Sequence, residues 1–274
     1  MPELPEIETV KRTLEPLICG TTIIKSQIIR PEIVAHPGAA EFRERICNQR
    51  IAATGRRGKY LLIHLDSGDT LIAHLRMTGR MLCTPPEHPL HPHTHAIFTL
   101  DNGRELRFAD TRRFGRLWLL GAGESDDFSG IHRLGIEPFD QAFGAAYLKE
   151  KLSRRHIAIK QGILDQSVIA GLGNIYADEV LFAAAVAPFR RTDSMTDTQW
   201  QSVAAAICPI LNSAISRNGT TFSDYLDGAG REGENMPYLQ AYKRAGRACN
   251  RCGETMVRTK IGGRSTFYCP NCQK

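Results

Sequence analysis

At 274 residues and 30.5 kDa the chain is long enough for two domains, each with its own core, and its composition is that of an ordinary globular protein. Lys and Arg number 35 against 29 Asp and Glu, a formal charge of +6 that suits a polyanionic partner without singling one out. No apolar run reaches membrane-spanning length and no basic-then-apolar leader opens the sequence, so the expectation is a cytoplasmic protein with no membrane partner.

The first residues are Met1, Pro2, Glu3, Leu4, Pro5 and Glu6. Removal of Met1 leaves Pro2 with a secondary amine of reference pKa roughly 7.7 to 8.0, partly unprotonated near neutrality and able to attack an electrophilic carbon to give an iminium. Glu3 stands beside it as a proton donor or acceptor. The plainer reading is that Met-Pro is only a start and Pro5 a helix opener. Pro5 suits a first turn, Glu6 and Glu8 suit the positive end of a helix, and Ile7, Val10, Leu14, Leu17 and Ile18 recur at helical spacing up to a stop at Gly20.

Short β-like runs follow at 21–29, 60–65, 70–75, 96–100, 105–108 and 116–120. Asp66-Ser67-Gly68-Asp69 and Asp101-Asn102-Gly103 read as hairpin loops, which predicts an antiparallel sandwich or flattened barrel over 21–120, packed with the first helix. Arg56-Arg57-Gly58-Lys59 enters a strand either as a phosphate holder near Pro2 or as a solvated strand entry. In the stretch from His74 to Arg80, Met77 is either core or wedge. His93 and His95 alternate and share a face, as hydrogen-bonding groups rather than metal ligands. The stretch from Asp110 to Arg116 places Arg112 beside Phe114 in a Gly-containing turn. It is either a duplex-entering loop, ring filling a vacated stack and guanidinium serving the base left behind, or a turn with a core Phe. The acidic, Gly-bearing residues 121–130 read as an interdomain linker.

Helical spacing returns with Phe143, Tyr147, Leu148 and Leu152, then with Ile157, Ile159, Ile163 and Leu164; Arg154, Arg155, His156 and Lys160 form a basic corner between. Gly171 and Gly173 lead into Asn174 as N-cap of a further helix, which makes either a phosphate-binding helix end or a plain turn between helices. Thr196 to Gln199 is a capping box opening a helix that runs past Pro209 to a stop at Gly219, and 219–238 has the make-up of a mobile loop. Cys249, Cys252, Cys269 and Cys272 read CxxC, sixteen residues, CxxC, the spacing of four thiolates closing one structural Zn2+ site around a β-hairpin that turns at Gly262-Gly263. Arg258, Lys260 and Arg264 line that hairpin. Cys19, Cys47, Cys83 and Cys208 are scattered singly, as free buried thiols in a reducing compartment.

In this order the stretches PELPEIETV, HLRMTGR, TRRFG, AGLGNIYADE and GGRSTFYCPNCQ resemble the bacterial formamidopyrimidine-DNA glycosylase (Fpg/MutM) family, and the likeness covers essentially the whole chain. It implies an α+β protein: an N-terminal helix plus antiparallel β-sandwich catalytic domain over 2–130, a helix-two-turn-helix DNA-binding domain over 131–240, and a zinc-finger hairpin over 241–274. It implies a monomeric enzyme of base excision repair on damaged double-stranded DNA, nucleoid-associated through that DNA. Such an enzyme excises formamidopyrimidines and 8-oxoguanine opposite cytosine, then cleaves the strand by β,δ-elimination. Carried over by position, Pro2 is the nucleophile, Glu3 the proton donor, Lys59 serves β-elimination, and Arg264 grips phosphate and assists δ-elimination. Met77, Arg112 and Phe114 fill the gap left by the extruded nucleotide, and His74, His93, Arg155, Asn174 and Tyr242 contact DNA. The endonuclease VIII-like sister family, which takes oxidised pyrimidines, shares the fold, but PELPE and TRRFG point to the purine branch. A zinc-bearing DNA scaffold that has lost its chemistry is the rival of another class, and the presence of Pro2, Glu3 and Lys59 together argues against it.

Overall fold

The computed structural model describes residues 2–274; Met1, whose removal exposes the Pro2 amine, lies outside the described residues. The chain divides into two compact units. One takes everything up to His132 together with Arg217–Met236; the other takes Arg133–Ser216 and Pro237–Lys274.

The first unit opens with α1 (Leu4–Ile18), whose Leu4, Ile7, Val10, Leu14 and Ile18 are at most 1% exposed. That stripe recurs every three or four residues and faces the core along the whole helix, while Pro5, Glu6 and Thr9 are buried as well, so that the first two turns are covered nearly all round. After it come β1 (Thr22–Ile28), β2 (Val34–His36), α2 (Ala39–Ile46), β3 (Gln49–Arg57), β4 (Tyr60–Leu65), β5 (Thr70–His74), β6 (Gly79–Thr84), β7 (Thr94–Leu100), β8 (Glu105–Asp110) and β9 (Arg116–Leu120). The strands order as β2-β9-β5-β4-β3-β1-β7-β8-β6, and β1 meets β3 through only Thr22↔Arg50 and Ile23↔Gln49. That narrow seam lets the two halves fold over one another as the layers of a sandwich. Leu61, Ile63, Leu71, Phe98, Phe108, Leu117 and Leu119 fill the space between and α1 packs on β3, β4 and β6.

Both expected hairpin loops are present, with Gly68 and Gly103 in the left-handed region at φ +88° and +80°. β3, β6 and α2 were not legible. β3 alternates poorly, with Ile51 and Thr54 its two buried residues and Gly55, Arg56 and Arg57 half-exposed in a row, and it is placed by pairing with β4 rather than by its own pattern.

The second unit packs α3 (Ala145–Leu152), α4 (Ile159–Leu164), α5 (Asn174–Ala183) and α6 (Asp197–Ser216) around Tyr176, Trp200, Val203, Ile207 and Leu211, all at most 1% exposed. The α6 capping box closes as expected, Gln199 N–H reaching Thr196 Oγ1 at 3.3 Å and Thr196 N–H reaching Gln199 Oε1 at 3.0 Å. Asn174, expected as the N-cap of α5, is instead its first helical residue and Gly173 is the cap. The strands β10 (Val257–Ile261) and β11 (Arg264–Tyr268) pair antiparallel across Gly262 and Gly263, at φ +53° and +76°, and β11 packs on α5.

This division departs from the segments 2–130, 131–240 and 241–274 in two respects. Residues 217–236, which the resemblance placed with the helices, join the sandwich instead, and the zinc hairpin joins the helices. The first has a physical cause. Gly228 N–H donates to Thr13 Oγ1 at 2.8 Å on α1, Cys83 N–H donates to the Gly228 carbonyl at 2.8 Å, and a Cβ at Gly228 would stand 2.4 Å from Leu14 Cγ. The stretch expected as a mobile loop is thus laced to α1 and β6. Among the described residues no helix is long and apolar enough to cross a membrane.

Candidate active site and nucleic-acid interface

Pro2 and Glu3 are buried, Glu3 to 1% exposure, where the chain enters α1. Glu3 N–H donates to Glu6 Oε2 at 2.8 Å. The other oxygen of that buried carboxylate, Oε1, accepts the Thr220 N–H at 2.8 Å, so Glu6 ties the first turn of α1 to the segment 217–236. Tyr225 Oη lies 3.3 Å from the Glu6 carbonyl and 3.1 Å from that of Asn218, donating toward both. Burial, and then the Glu6 charge, push its phenol well above the usual range. Gly219, at φ +80°, could carry no side chain there, since a Cβ would fall 2.9 Å from Glu6 Oε1.

Lys59 is 9% exposed and follows Gly58, at φ +54°, in the turn from β3 to β4, the strands on which α1 rests. Arg56 of that basic run braces the turn: its Nε donates to Glu8 Oε2 at 3.0 Å and its Nη1 to the Gly58 carbonyl at 3.1 Å. Burial works against the Glu8 charge, yet the Arg12 and Arg56 guanidiniums outweigh it and hold the carboxyl below its ordinary range.

Met77, Arg112 and Phe114 come together at the end of the same unit. Arg112 Nη1 lies 3.0 Å from Met77 Sδ and its guanidinium carbon 4.7 Å from the Phe114 ring centre. Met77 is 40% and Phe114 49% exposed, so neither is core. Two large apolar side chains and a stacked guanidinium thus project together from adjoining turns. His74 is buried, its ring edge-on to Tyr60, and its Nδ1 accepts the Arg76 N–H at 3.0 Å. Burial, with Arg76 and Lys59 nearby, pushes its pKa down to about 3, so the ring is neutral at physiological pH. His93 is half-buried and stands against the His91 ring at 5.6 Å. His95 is buried, bonding the Asp110 carbonyl at 2.8 Å, a core group rather than a ligand.

In the second unit Arg155 pairs with Asp165 at 2.7 Å. Asn174 Nδ2 donates to the Ser265 carbonyl at 3.0 Å. The Tyr242 ring lies edge-on to Phe267 at 5.3 Å, and its N–H is one of three, with Gln240 and Ala241, that converge on Glu179 at 2.8 to 2.9 Å. Arg264 is exposed at the hairpin tip. Beneath that tip Lys160 Nζ, with no solvent access, contacts Asp178 Oδ1 at 2.6 Å, the Ser265 carbonyl at 3.0 Å and Thr266 Oγ1 at 2.9 Å; Asp178 Oδ2 accepts the Phe267 N–H at 3.0 Å. Burial pushes the Asp178 carboxyl up to about 7 against the pull of Lys160. The Sγ atoms of Cys249, Cys252, Cys269 and Cys272 lie within 4.8 Å of one another. Four thiolates about 2.3 Å from one ion stand roughly 3.8 Å apart, so this cluster fits a single tetrahedral zinc. The other four cysteines are free thiols, but of these only Cys83 is buried; Cys19, Cys47 and Cys208, expected to be buried, are half-buried near the surface.

The family profile described as the formamidopyrimidine-DNA glycosylase N-terminal domain matches residues 1–117, that of the formamidopyrimidine-DNA glycosylase H2TH domain 134–225, and that of the zinc finger found in FPG and IleRS 246–274. The formamidopyrimidine-DNA glycosylase of Pelotomaculum thermopropionicum is 46% identical over 274 residues, spanning all of this chain and 99% of that protein. The chain belongs to the formamidopyrimidine-DNA glycosylase family. Solved structures of the family agree over the full length. A mutant of Lactococcus lactis FPG in complex with Fapy-dG-containing DNA, and MutM in complex with DNA containing carbocyclic 8-oxo-G, each superpose with a TM-score of 0.92 at 33% identity, covering 100% of both chains.

Sequence reasoning missed the buried groups behind these family residues. Glu6 read only as an acid at a positive helix end, Lys160 only as part of a basic corner, and Asp110 only as the start of a turn. Asp178 and Glu179 entered only as the end of the AGLGNIYADE stretch, with no role of their own. A carboxylate that binds backbone N–H groups from a remote segment has no local pattern.

Proposed function

We propose that the chain is a bifunctional DNA glycosylase and AP lyase of base excision repair that removes oxidised purines from double-stranded DNA. The observation that carries the reading is the gathering of exposed Met77, Arg112 and Phe114 into one wedge on the unit that also buries Pro2, Glu3 and Lys59. An anomeric carbon inside a stacked duplex is out of reach, so the nucleotide must swing out at a cost of roughly a few kcal/mol. The wedge offsets that by filling the space vacated, the Phe114 ring stacking and the Arg112 donors facing the orphaned cytosine.

With Met1 removed, the Pro2 nitrogen attacks C1′ and the bond to the damaged base breaks. Glu3 passes a proton to the sugar ring oxygen, the ring opens, and the carbon is held as an iminium. Loss of a proton from C2′ with departure of the 3′ phosphate is the β-elimination that Lys59 serves. Arg264 grips phosphate and assists the second elimination. His93, Arg155, Asn174 and Tyr242 contact DNA. His74, neutral and with Nδ1 already accepting, contributes there only as a hydrogen-bonding group, not as a cation. Cys249, Cys252, Cys269 and Cys272 would hold the zinc, which fixes the hairpin and leaves no position for water. The protein acts as a monomer in the cytoplasm, on the nucleoid.

Borohydride reduction of the protein mixed with an 8-oxoguanine or abasic duplex should leave a covalent adduct. Pro2→Gly should keep binding and lose most of the adduct, by about a hundredfold or more if the amine is the nucleophile. Tight binding with no adduct on either duplex would instead identify a non-catalytic scaffold.

A further inference from the structure

Asp110 is 1% exposed and ends β8, where Gly79↔Asp110 is the last pair with β6. On the opposite layer the pairing of β5 with β9 ends at His74↔Arg116. Two short connections therefore cross side by side from one layer to the other, residues 75–78 carrying Met77 and residues 111–115 carrying Arg112 and Phe114. Nothing in the ladders holds these crossings to each other. Asp110 does. Its Oδ1 accepts the Thr78 hydroxyl and, at 3.2 Å, the Arg112 N–H; its Oδ2 accepts the Gly115 N–H at 2.7 Å. Thr78 Oγ1 closes the link by accepting the same Arg112 N–H at 3.1 Å. A Cβ at position 115 would stand 2.6 Å from Phe108 Cζ, so the backbone there comes close to the core only as glycine. One shielded carboxylate thus joins the Met77 turn to both ends of the Arg112–Phe114 turn.

We infer that Asp110, acting through Thr78, is the positioning residue of the wedge, and that reading of the opposite base by Arg112 depends on it although Asp110 itself is out of reach of DNA. The inference rests on the proposed glycosylase function for its DNA readout. A wedge whose two halves are already locked together loses little freedom when it enters the duplex, and its Arg112 donors arrive at a fixed height and angle. Released from Asp110, the same three side chains still project, but separately. Discrimination suffers more than chemistry, because Pro2, Glu3 and Lys59 belong to other elements.

The test uses Asp110→Asn, Thr78→Val and the conservative Thr78→Ser in the full zinc-bound protein. In the free protein, amide exchange at Arg112 and Gly115 should accelerate by about tenfold or more in Asp110→Asn, each having lost a charge-assisted acceptor. In Thr78→Val it should accelerate at Arg112, and Thr78→Ser should restore it. The ratio of 8-oxoguanine excision opposite cytosine to that opposite adenine should fall to the Arg112→Ala value in both non-conservative variants. The Asp110→Asn/Arg112→Ala double variant should fall no further, since the two act as one unit. Cleavage of a single-stranded abasic site, where nothing is discriminated, should change by less than about threefold. If Asp110→Asn does not fold, Thr78→Val carries the same comparison. Wild-type exchange at Arg112 and Gly115 together with a wild-type ratio, or equal loss of duplex and single-strand activities in a folded variant, overturns the inference. Should the wild-type protein itself show no preference for cytosine, the opposite-base reading of the function fails, and the amide exchange alone decides whether Asp110 holds the wedge.

Discussion

Glu6, Asp110 and Glu179 share a use of the carboxylate that runs against its usual place on the surface. Each is at most 4% exposed and takes N–H groups from a segment that carries residues of the candidate interface. A backbone donor left bare in the interior is unfavourable, so an irregular segment can be held close to a core only if something accepts from it. A carboxylate with two oxygens accepts from several donors at once, which a serine or asparagine side chain does less well. Histidine shows the reverse preference. With its pKa near 3 in the folded chain and near 6.5 when unfolded, His74 is neutral in the fold while the unfolded chain takes up a proton. Its contribution to stability is therefore complete above about pH 6.5 and is lost as pH falls toward about 3, with a limiting slope of about 1.4 kcal/mol per pH unit. His74→Phe should flatten the pH dependence of unfolding in that window, measured by denaturant titration, and an unchanged slope would show that His74 titrates normally.

At the scale of elements, legibility followed periodicity. α1 and α6 carry an apolar stripe at helical spacing, the regular strands alternate, and the hairpin loops carry Gly where φ is positive, so local sequence was enough. β3 lacks that alternation, and its place comes from its neighbour in the sheet. The zinc hairpin shows both regimes. Its turn and its four ligands are written in spacing, but its seat on α5 is a buried ion pair, Lys160 with Asp178, with no motif at all. Removing one partner of such a pair leaves a charge without compensation in the interior. Lys160→Met should destabilise the second unit by about 3–5 kcal/mol, and Lys160→Met combined with Asp178→Asn should recover part of that loss. Chemical unfolding of the zinc-bound protein checks both; a double variant as unstable as the sum of the singles would mean that the two residues act independently.

For the whole molecule the proposed partner is a polyanion, and binding to it through Lys and Arg would release counterions. Affinity for a damaged duplex should therefore fall steeply and log-linearly with salt, and Arg155→Ala or Arg264→Ala should each reduce the slope by about one. A slope unaltered by either would remove both from the phosphate contacts. Zinc removal should unfold β10 and β11 and weaken binding by at least about tenfold, seen by titrating a chelator against fluorescence anisotropy of labelled DNA.

The sequence by itself determined the class of fold and supplied the residues of the proposed chemistry: an N-terminal Met-Pro-Glu, a basic and aromatic turn, a four-cysteine centre, and helices and strands announced by their spacing. These are properties of neighbouring residues, and bonding rules over a few positions suffice to read them. Only the tertiary structure decided that residues 217–236 return to the sandwich, that Met77 meets Arg112 and Phe114, and that shielded carboxylates tie these segments down. Thr78 and Asp110 are 32 positions apart and Thr220 and Glu6 are 214, and a hydrogen bond across such a separation depends on how the chain has closed around its core, which no local pattern encodes.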